Sequence, residues 1–508
     1  MLSSSLSSHL LGILLVSVAF LGFARGIVRR GKGRSFNPLP VFMLLLVALA
    51  YQLFYPATGI LSRFAHLMVD FGAGMIIGAF YLAAHRDRPK MFWVPGALGL
   101  ILGSFLYGFS FLLNMESLCN RPDTVQLLVE LGPDDHIDEL APTLKKYGAV
   151  AEKAFPNVDL SEDEDLAQYY VVFVDSTKRI PLEIELKGDR ENVDQLDLNR
   201  PLELIRPLEA DATRRPPTEF LANDPYLTNQ WFASALNYNG VYELLRSHTP
   251  KQKVKLAIVD TGVDQGHEDL QPVYRRSGGD GDKDQHSHGT HCAGLAGAAT
   301  NNGKGVGSLN WNGDFVQISG YPALDAQGRG TDRRVAQAII DAAEDGAQVI
   351  SMSLGGFSPF GAPKAQRDAI KYARKLGAIV VVAAGNSNDD ARKYSPANID
   401  GVITVGAVDE NLRKASFSNT NTRLKRPIAA PGVNILSSTP GSKYQAFNGT
   451  SMATPLVSGL VGILKAYRPD LTTDQVYAIL NETGTQAPDT DKVGRVINPL
   501  GALQSVLK

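Results

Sequence analysis

Four stretches near the start of the chain are apolar almost from end to end: Leu10–Val28, Leu39–Leu61, Ala65–Ala84 and Met91–Met115. Each is close to the ~20 residues that a helix needs to cross a bilayer. They predict four transmembrane helices in a membrane domain over residues 1–118. After that the periodicity changes. Thr124–Leu131 alternates like a strand, and Tyr169–Val174 reads as a second one. Between them Ile137–Tyr147 has helical spacing, with Asp134 or Asp135 as its cap. Pro181–Lys187 is mixed. Residues 119–215 therefore predict a small βαβ-like α+β domain ending in linker chemistry at Arg214–Pro217.

From 216 to 508, short β-branched runs alternate with helical patterns. The runs are Val254–Val259, Phe315–Ala323, Ala347–Leu354 and Ile379–Ala384. They are continuously apolar, as strands covered on both faces are. Thr331–Ala343, Ala365–Leu376 and Ala453–Tyr467 read as helices. The alternation predicts a doubly wound, mostly parallel α/β sheet. Ligands on such sheets bind at the carboxyl ends of the strands. Asp260 ends the first run and Asn386 follows the last.

Charge divides the chain at the same place as hydropathy. Residues 1–118 hold nine Lys/Arg and three acids, leaving 41 basic against 49 acidic residues beyond. The overall net charge of -2 gives no argument for a nucleic-acid partner. Positive charge gathers in the first and third connections of the apolar region: Arg25, Arg29, Arg30, Lys32 and Arg34, then Arg86, Arg88 and Lys90. By the positive-inside rule these connections are cytoplasmic, and everything after Met115 lies outside the membrane. Met1–Ser8 carries no positive charge, which argues against a cleaved signal peptide. Two cysteines, Cys119 and Cys292, exclude a disulfide-stapled scaffold.

Three motifs occur in order: AIVDTGVD at Ala257–Asp264, HGTHCAG at His288–Gly294 and GTSMATP at Gly449–Pro455. An Asp, a His and a Ser can act as one unit. The hydroxyl is a weak nucleophile, neutral imidazole takes its proton, and a carboxylate holds the imidazole in the required tautomer. Ser451 lies just before an apolar helical run, so backbone N–H groups and the helix dipole face a developing oxyanion, and Asn386 can add a side-chain donor. His286, His288, His291 and Cys292 also read as a zinc cluster, but zinc thiolate sites draw ligands from two separated pairs and no second pair is present.

On these motifs the chain resembles the subtilisin-like serine proteases, the subtilases, over roughly Asn223 to Leu507. The resemblance implies Asp260, His288 and Ser451 as a catalytic triad and Asn386 as the oxyanion residue. It implies Ser353, Leu354 and Gly355 as a substrate-binding strand, faced by Gly328, Arg329 and Gly330, with an extended peptide clamped between. It implies a structural Ca²⁺ held by carbonyls of Thr300, Lys304 and Val306, the Asn302 side chain, and the carboxylates of Asp269 and Asp224. Asp280, Asp282 and Asp284 begin like a second calcium loop but lack its closing Glu, and read as a solvated acidic loop. Residues 119–215 stand where subtilases carry a propeptide, which implies an intramolecular inhibitor, with an exposed self-cleavage junction in Asp211–Glu219. The expected protein is a membrane-anchored serine endopeptidase acting on peptides or proteins outside the cytoplasmic membrane, with lipid around its spans. The alternative is a non-catalytic membrane protein whose subtilase-like domain only binds peptides.

Overall fold

The computed structural model describes residues 124–204, 208–210, 219–277 and 279–507. The four apolar stretches, Cys119 and the 211–218 junction lie outside the described residues. Among the described residues no helix is long and apolar enough to cross a membrane.

The segment from 124 to 198 folds as β1 (Thr124–Leu131), α1 (Ala141–Tyr147), β2 (Val150–Lys153), β3 (Tyr169–Asp175), α2 (Arg179–Gly188) and β4 (Val193–Leu198). The sheet order is β2-β3-β1-β4. That is a β-α-β-β-α-β split unit, one strand pair richer than the βαβ expected. The mixed Pro181–Lys187 run is helical, with Leu182 and Leu186 on its buried side. The helix at Ile137–Tyr147 begins as a 3-10 turn, and the residue at its head is His136 rather than Asp134 or Asp135.

Beyond residue 219 the core is a six-stranded sheet. Its strands are β7 (Val254–Asp260), β8 (Val316–Pro322), β10 (Val349–Met352), β12 (Ile379–Ala383), β14 (Ile403–Val408) and β15 (Pro427–Pro431). Their order is β15-β14-β12-β10-β7-β8, and every pairing is parallel. β7 is the point from which the chain winds outward in both directions, so its carboxyl end is the switch-point crevice where α/β folds bind ligands. Around the sheet lie α3 (His288–Gly297), α4 (Asp332–Glu344), α5 (Lys364–Lys375) and α6 (Thr450–Tyr467). α6 is buried along its whole length, which its all-round apolar sequence requires. Short pairs finish the surface: β9 (Arg329–Thr331), β11 (Gly356–Phe357) with β13 (Tyr394–Ser395), and the hairpin β16 (Ile435–Thr439)–β17 (Lys443–Asn448).

Candidate active site

Asp260 is the last residue of β7 and is fully buried. His288 opens α3 and is also fully buried. Its Nδ1 lies 2.7 Å from Asp260 Oδ1. A carboxylate there accepts only if Nδ1 carries the proton, which leaves Nε2 as a lone pair. Nε2 is buried and has no hydrogen-bond partner among the described residues. Helix and strand approach this closely because of Gly289: a Cβ there would sit 2.0 Å from Gly262 O.

The acidic run before His288 is solvated only at Asp280, which is exposed. Asp282 and Asp284 are both buried. Asp284 Oδ1 accepts from Thr261 Oγ1 and from the backbone N–H groups of His286 and Ser287. Its Oδ2 accepts from Thr290 N and Thr290 Oγ1. One carboxylate thus caps α3 and ties it to the residue after Asp260. The sequence reading missed this. The signal was that the last of the three acids stands four residues before the helix-opening His, where an N-terminal carboxylate suits the dipole.

Ser451 is the second residue of α6, not a residue just ahead of it. Its Oγ donates to Ser353 O at 3.0 Å rather than to His288 Nε2. Its carbonyl, which a non-proline residue at 455 would tie up in the helix, accepts from Ser353 Oγ at 2.8 Å. Asn386 is oriented by Thr450, whose N–H and hydroxyl both donate to Asn386 Oδ1 at 2.8 Å. That turns Nδ2 the other way. A Cβ built on Gly449 would lie 3.4 Å from Asn386 Nδ2 and 3.5 Å from Ser451 N. The two donors therefore flank one spot beside the serine, as anion stabilisation requires. Thr450 is a second residue the sequence reading missed, although it stands inside the GTSMATP motif.

The zinc reading does not fit the geometry. His291 stacks on Phe447 with ring centroids 4.4 Å apart, and its Nε2 meets Gln445 O at 3.0 Å. Asp260, His288 and Cys292 do cluster. Cys292 Sγ, however, is turned to Ser451 O at 3.5 Å, and burial pushes its thiol well above the ordinary range.

The expected substrate strands are occupied by the chain itself. β5 (Pro201–Glu203) runs antiparallel to β9, with Pro201 opposite Thr331, Leu202 opposite Gly330 and Glu203 opposite Arg329. Leu204 N donates to Gly328 O at 2.7 Å. β6 (Leu208–Ala210) pairs with β17, the strand that ends three residues before Ser451, placing Leu208 opposite Asn448. Of the facing strand, Ser353 touches Ser451, Leu354 is buried, and Gly355 packs against Ser395 O, where a Cβ would lie at 2.9 Å. Among the described residues β5 forms its ladder with β9 only. Arg329 is turned back on its own loop, 3.4 Å from Asp325.

Of the expected calcium ligands, Asp224, Asp269 and Asn302 lie together, while the Thr300 carbonyl accepts from Asn312 N at 3.0 Å. Asp224 and Asp269 are buried against the loop 300–306. Asp224 accepts from Asn301 N and Asn302 N; Asp269 accepts from Val306 N and Asn302 Nδ2. Burial, with the neighbouring Asp269 charge adding to it, pushes the Asp224 carboxyl up to about 6, and burial likewise raises Asp269. Two buried carboxylates beside a loop of carbonyls are a donor set for a hard dication. As oriented, Asn302 turns its amide nitrogen to Asp269 and its oxygen to Lys304 N, so it joins such a set only with the amide flipped.

The sequence profile of the subtilase family matches residues 251–498. The chain is 42% identical over 215 residues to the thermophilic serine proteinase of Bacillus sp. (strain AK1), covering 41% of this chain and 51% of that protein, about half the relative's length. It is 38% identical over 258 residues to subtilisin DY of Bacillus licheniformis, covering 49% of this chain and 91% of that protein. The solved structure of a protease from Pseudoalteromonas arctica PAMC 21717 superposes with a TM-score of 0.50 at 30% identity, over 56% of this chain and 99% of that one. The chain belongs to the subtilase family of serine proteases, hydrolases of peptide bonds.

Proposed function

We propose a membrane-anchored endopeptidase that works on the outer side of the cytoplasmic membrane and is held latent by its own prosegment. The observation that carries the catalytic part is the buried 2.7 Å contact between His288 Nδ1 and Asp260 Oδ1, which leaves Nε2 unpaired. Ser451 Oγ turns from Ser353 O to Nε2, gives up its proton there and attacks the substrate carbonyl. Asp260 stabilises the imidazolium that forms. Asn386 Nδ2 and Ser451 N receive the oxyanion. His288 then protonates the leaving amine, and water repeats the sequence on the acyl-enzyme.

β5 and β6 support the role of residues 119–215 as inhibitor, since they lie along β9 and β17 where an external peptide would bind. The self-cleaved bond on this reading lies between Leu204 and Leu208, upstream of the 211–219 junction that the sequence suggests. The four apolar stretches and their flanking Lys and Arg support the anchor and its orientation. The convergence of Asp224, Asp269 and loop 300–306 supports a structural Ca²⁺, with Thr300, Lys304 and Val306 contributing carbonyls and Asn302 its amide oxygen.

A fluorophosphonate probe tests the central claim. It should label Ser451 in the wild-type protein and leave Ser451→Ala unlabelled. The wild type should also yield a C-terminal fragment beginning between residues 205 and 208, and Ser451→Ala should remain full length. Equal labelling of the two proteins would remove the nucleophile.

A further inference from the structure

Arg200 stands immediately before β5, and its side chain reaches out of the prosegment into the protease. Its Nε donates to Asp332 Oδ2 at 2.9 Å and its Nη1 to Ser358 Oγ at 3.1 Å. The main chain continues the β5–β9 ladder at this point, with Asp332 N donating to Arg200 O at 3.1 Å. Asp332 opens α4 and is only 3% exposed. Its second oxygen, Oδ1, accepts from Gln366 Nε2 at 2.9 Å. Gln366 is fixed in that orientation by Ser395, whose hydroxyl donates to Gln366 Oε1 at 2.7 Å.

The acid is therefore built into the protease, while its counter-charge belongs to whatever lies along β9. Among the described residues the ion pair of Asp332 is with Arg200 alone. Burial raises the Asp332 carboxyl, and Arg200 is what chiefly pulls it back down. A buried carboxylate that loses its partner is costly, so an emptied cleft favours a peptide that brings a new cation. Strand register decides which residue that is. Leu202 faces Gly330 and Pro201 faces Thr331, so the residue facing Asp332 is always two before the one at the Leu202 position. The site engages two nitrogens of one planar group, which suits a guanidinium better than an ammonium.

We propose that Asp332, Ser358 and Gln366 form a recognition pocket for an arginine side chain, and that the protease selects protein substrates with Arg two residues upstream of the apolar residue that replaces Leu202. This rests on reading the chain as an endopeptidase whose β9 edge binds the substrate main chain.

Purified protein that has completed self-cleavage, diluted until its activity is constant so that the prosegment has left the cleft, is assayed with quenched fluorescent peptides copying residues 198–210 and carrying Arg, Lys, Gln or Glu at the position of Arg200. The Arg peptide should exceed the Gln peptide in kcat/KM by about tenfold, the scale of a charge-assisted bidentate contact. Lys should fall between them and Glu last. In Asp332→Asn the Arg-to-Gln ratio should shrink to within about twofold. Where that variant does not fold, the wild-type ratios decide alone. Equal kcat/KM for the Arg and Gln peptides, or a ratio that survives in folded Asp332→Asn, would overturn the pocket and leave the ion pair as a clamp on the prosegment. Cleavage of no peptide at all would overturn the endopeptidase reading, and the pocket with it.

Discussion

Replacing Asp284 with alanine isolates what the buried cap contributes. The carboxylate takes five hydrogen bonds, three from backbone N–H groups and two from hydroxyls, and is 8% exposed. The hydroxyls of Thr261 and Thr290 can turn to other acceptors, but the N–H groups of His286, Ser287 and Thr290 are fixed by the backbone at and just before the start of α3. Losing an N-cap costs about 1 kcal/mol, and stranding buried donors that had met a charge costs ~1–3 kcal/mol more. The contributions share one group and do not simply add, so ~3–4 kcal/mol is expected. For a domain of this size that lowers Tm by roughly 5–7 °C. The measurement is thermal unfolding by circular dichroism in a Ser451→Ala background, which removes self-digestion as the cause of an irreversible transition. Asp284→Asn keeps one acceptor and should fall about halfway. In the active background Asp284→Ala should also lower kcat, by as much as ~10²-fold, because the first turn of α3 aims His288 at Asp260. A Tm within 2 °C of the parent, with kcat unchanged, would refute the assignment of Asp284 as the anchor of that turn.

Three further outcomes follow from the site. Asn386→Ala should lower kcat by about 10²–10³, a magnitude borrowed from the oxyanion residue of a family relative; Thr450→Val should lower it less, and steady-state kinetics at matched folding would refute the pair if neither changed kcat. His291 is buried, and desolvation lowers its pKa to about 3 from 6.5. The unfolded chain therefore takes up the extra proton, so stability is lost as pH falls from 6.5 toward 3, by about 2 kcal/mol at pH 5. Urea unfolding at pH 7 and 5 should show a smaller difference in His291→Gln, and an unchanged difference would exclude this residue. Chelation by EGTA should lower Tm relative to excess calcium, since a native-state ligand at 100 times its Kd adds about 2.7 kcal/mol. Asn302→Ala should narrow the gap, and no gap in the parent would remove the calcium site.

What sequence could reveal depended on whether the cause was local. β7 and β12 were legible because strands covered on both faces are apolar at every position. β4, reading VDQLDL, buries only its first residue and carries too weak an alternation to register. The triad residues announced themselves through motifs, and Asn386 through its place after a buried strand. Asp284 did not, because three acids in five residues look the same whether water or a helix end receives them. The pairing of Pro201–Glu203 with β9 was equally hidden. Three residues carry no periodicity, and their partner lies more than a hundred positions away.

Because β5 and β6 belong to the same chain as the cleft they fill, occupancy before cleavage does not depend on protein concentration. A tethered ligand of this kind acts at an effective concentration in the millimolar range, against which a dilute external peptide competes poorly. Once the chain is cut between the two strands, β6 stays with the protease, the contacts of β5 become those of a bimolecular complex, and the free fraction is set by dilution. Concentrated preparations should then stay silent after cutting is complete, and dilution alone should wake them. The lag before activity would measure dissociation of the inhibitor rather than the rate of any bond-breaking step.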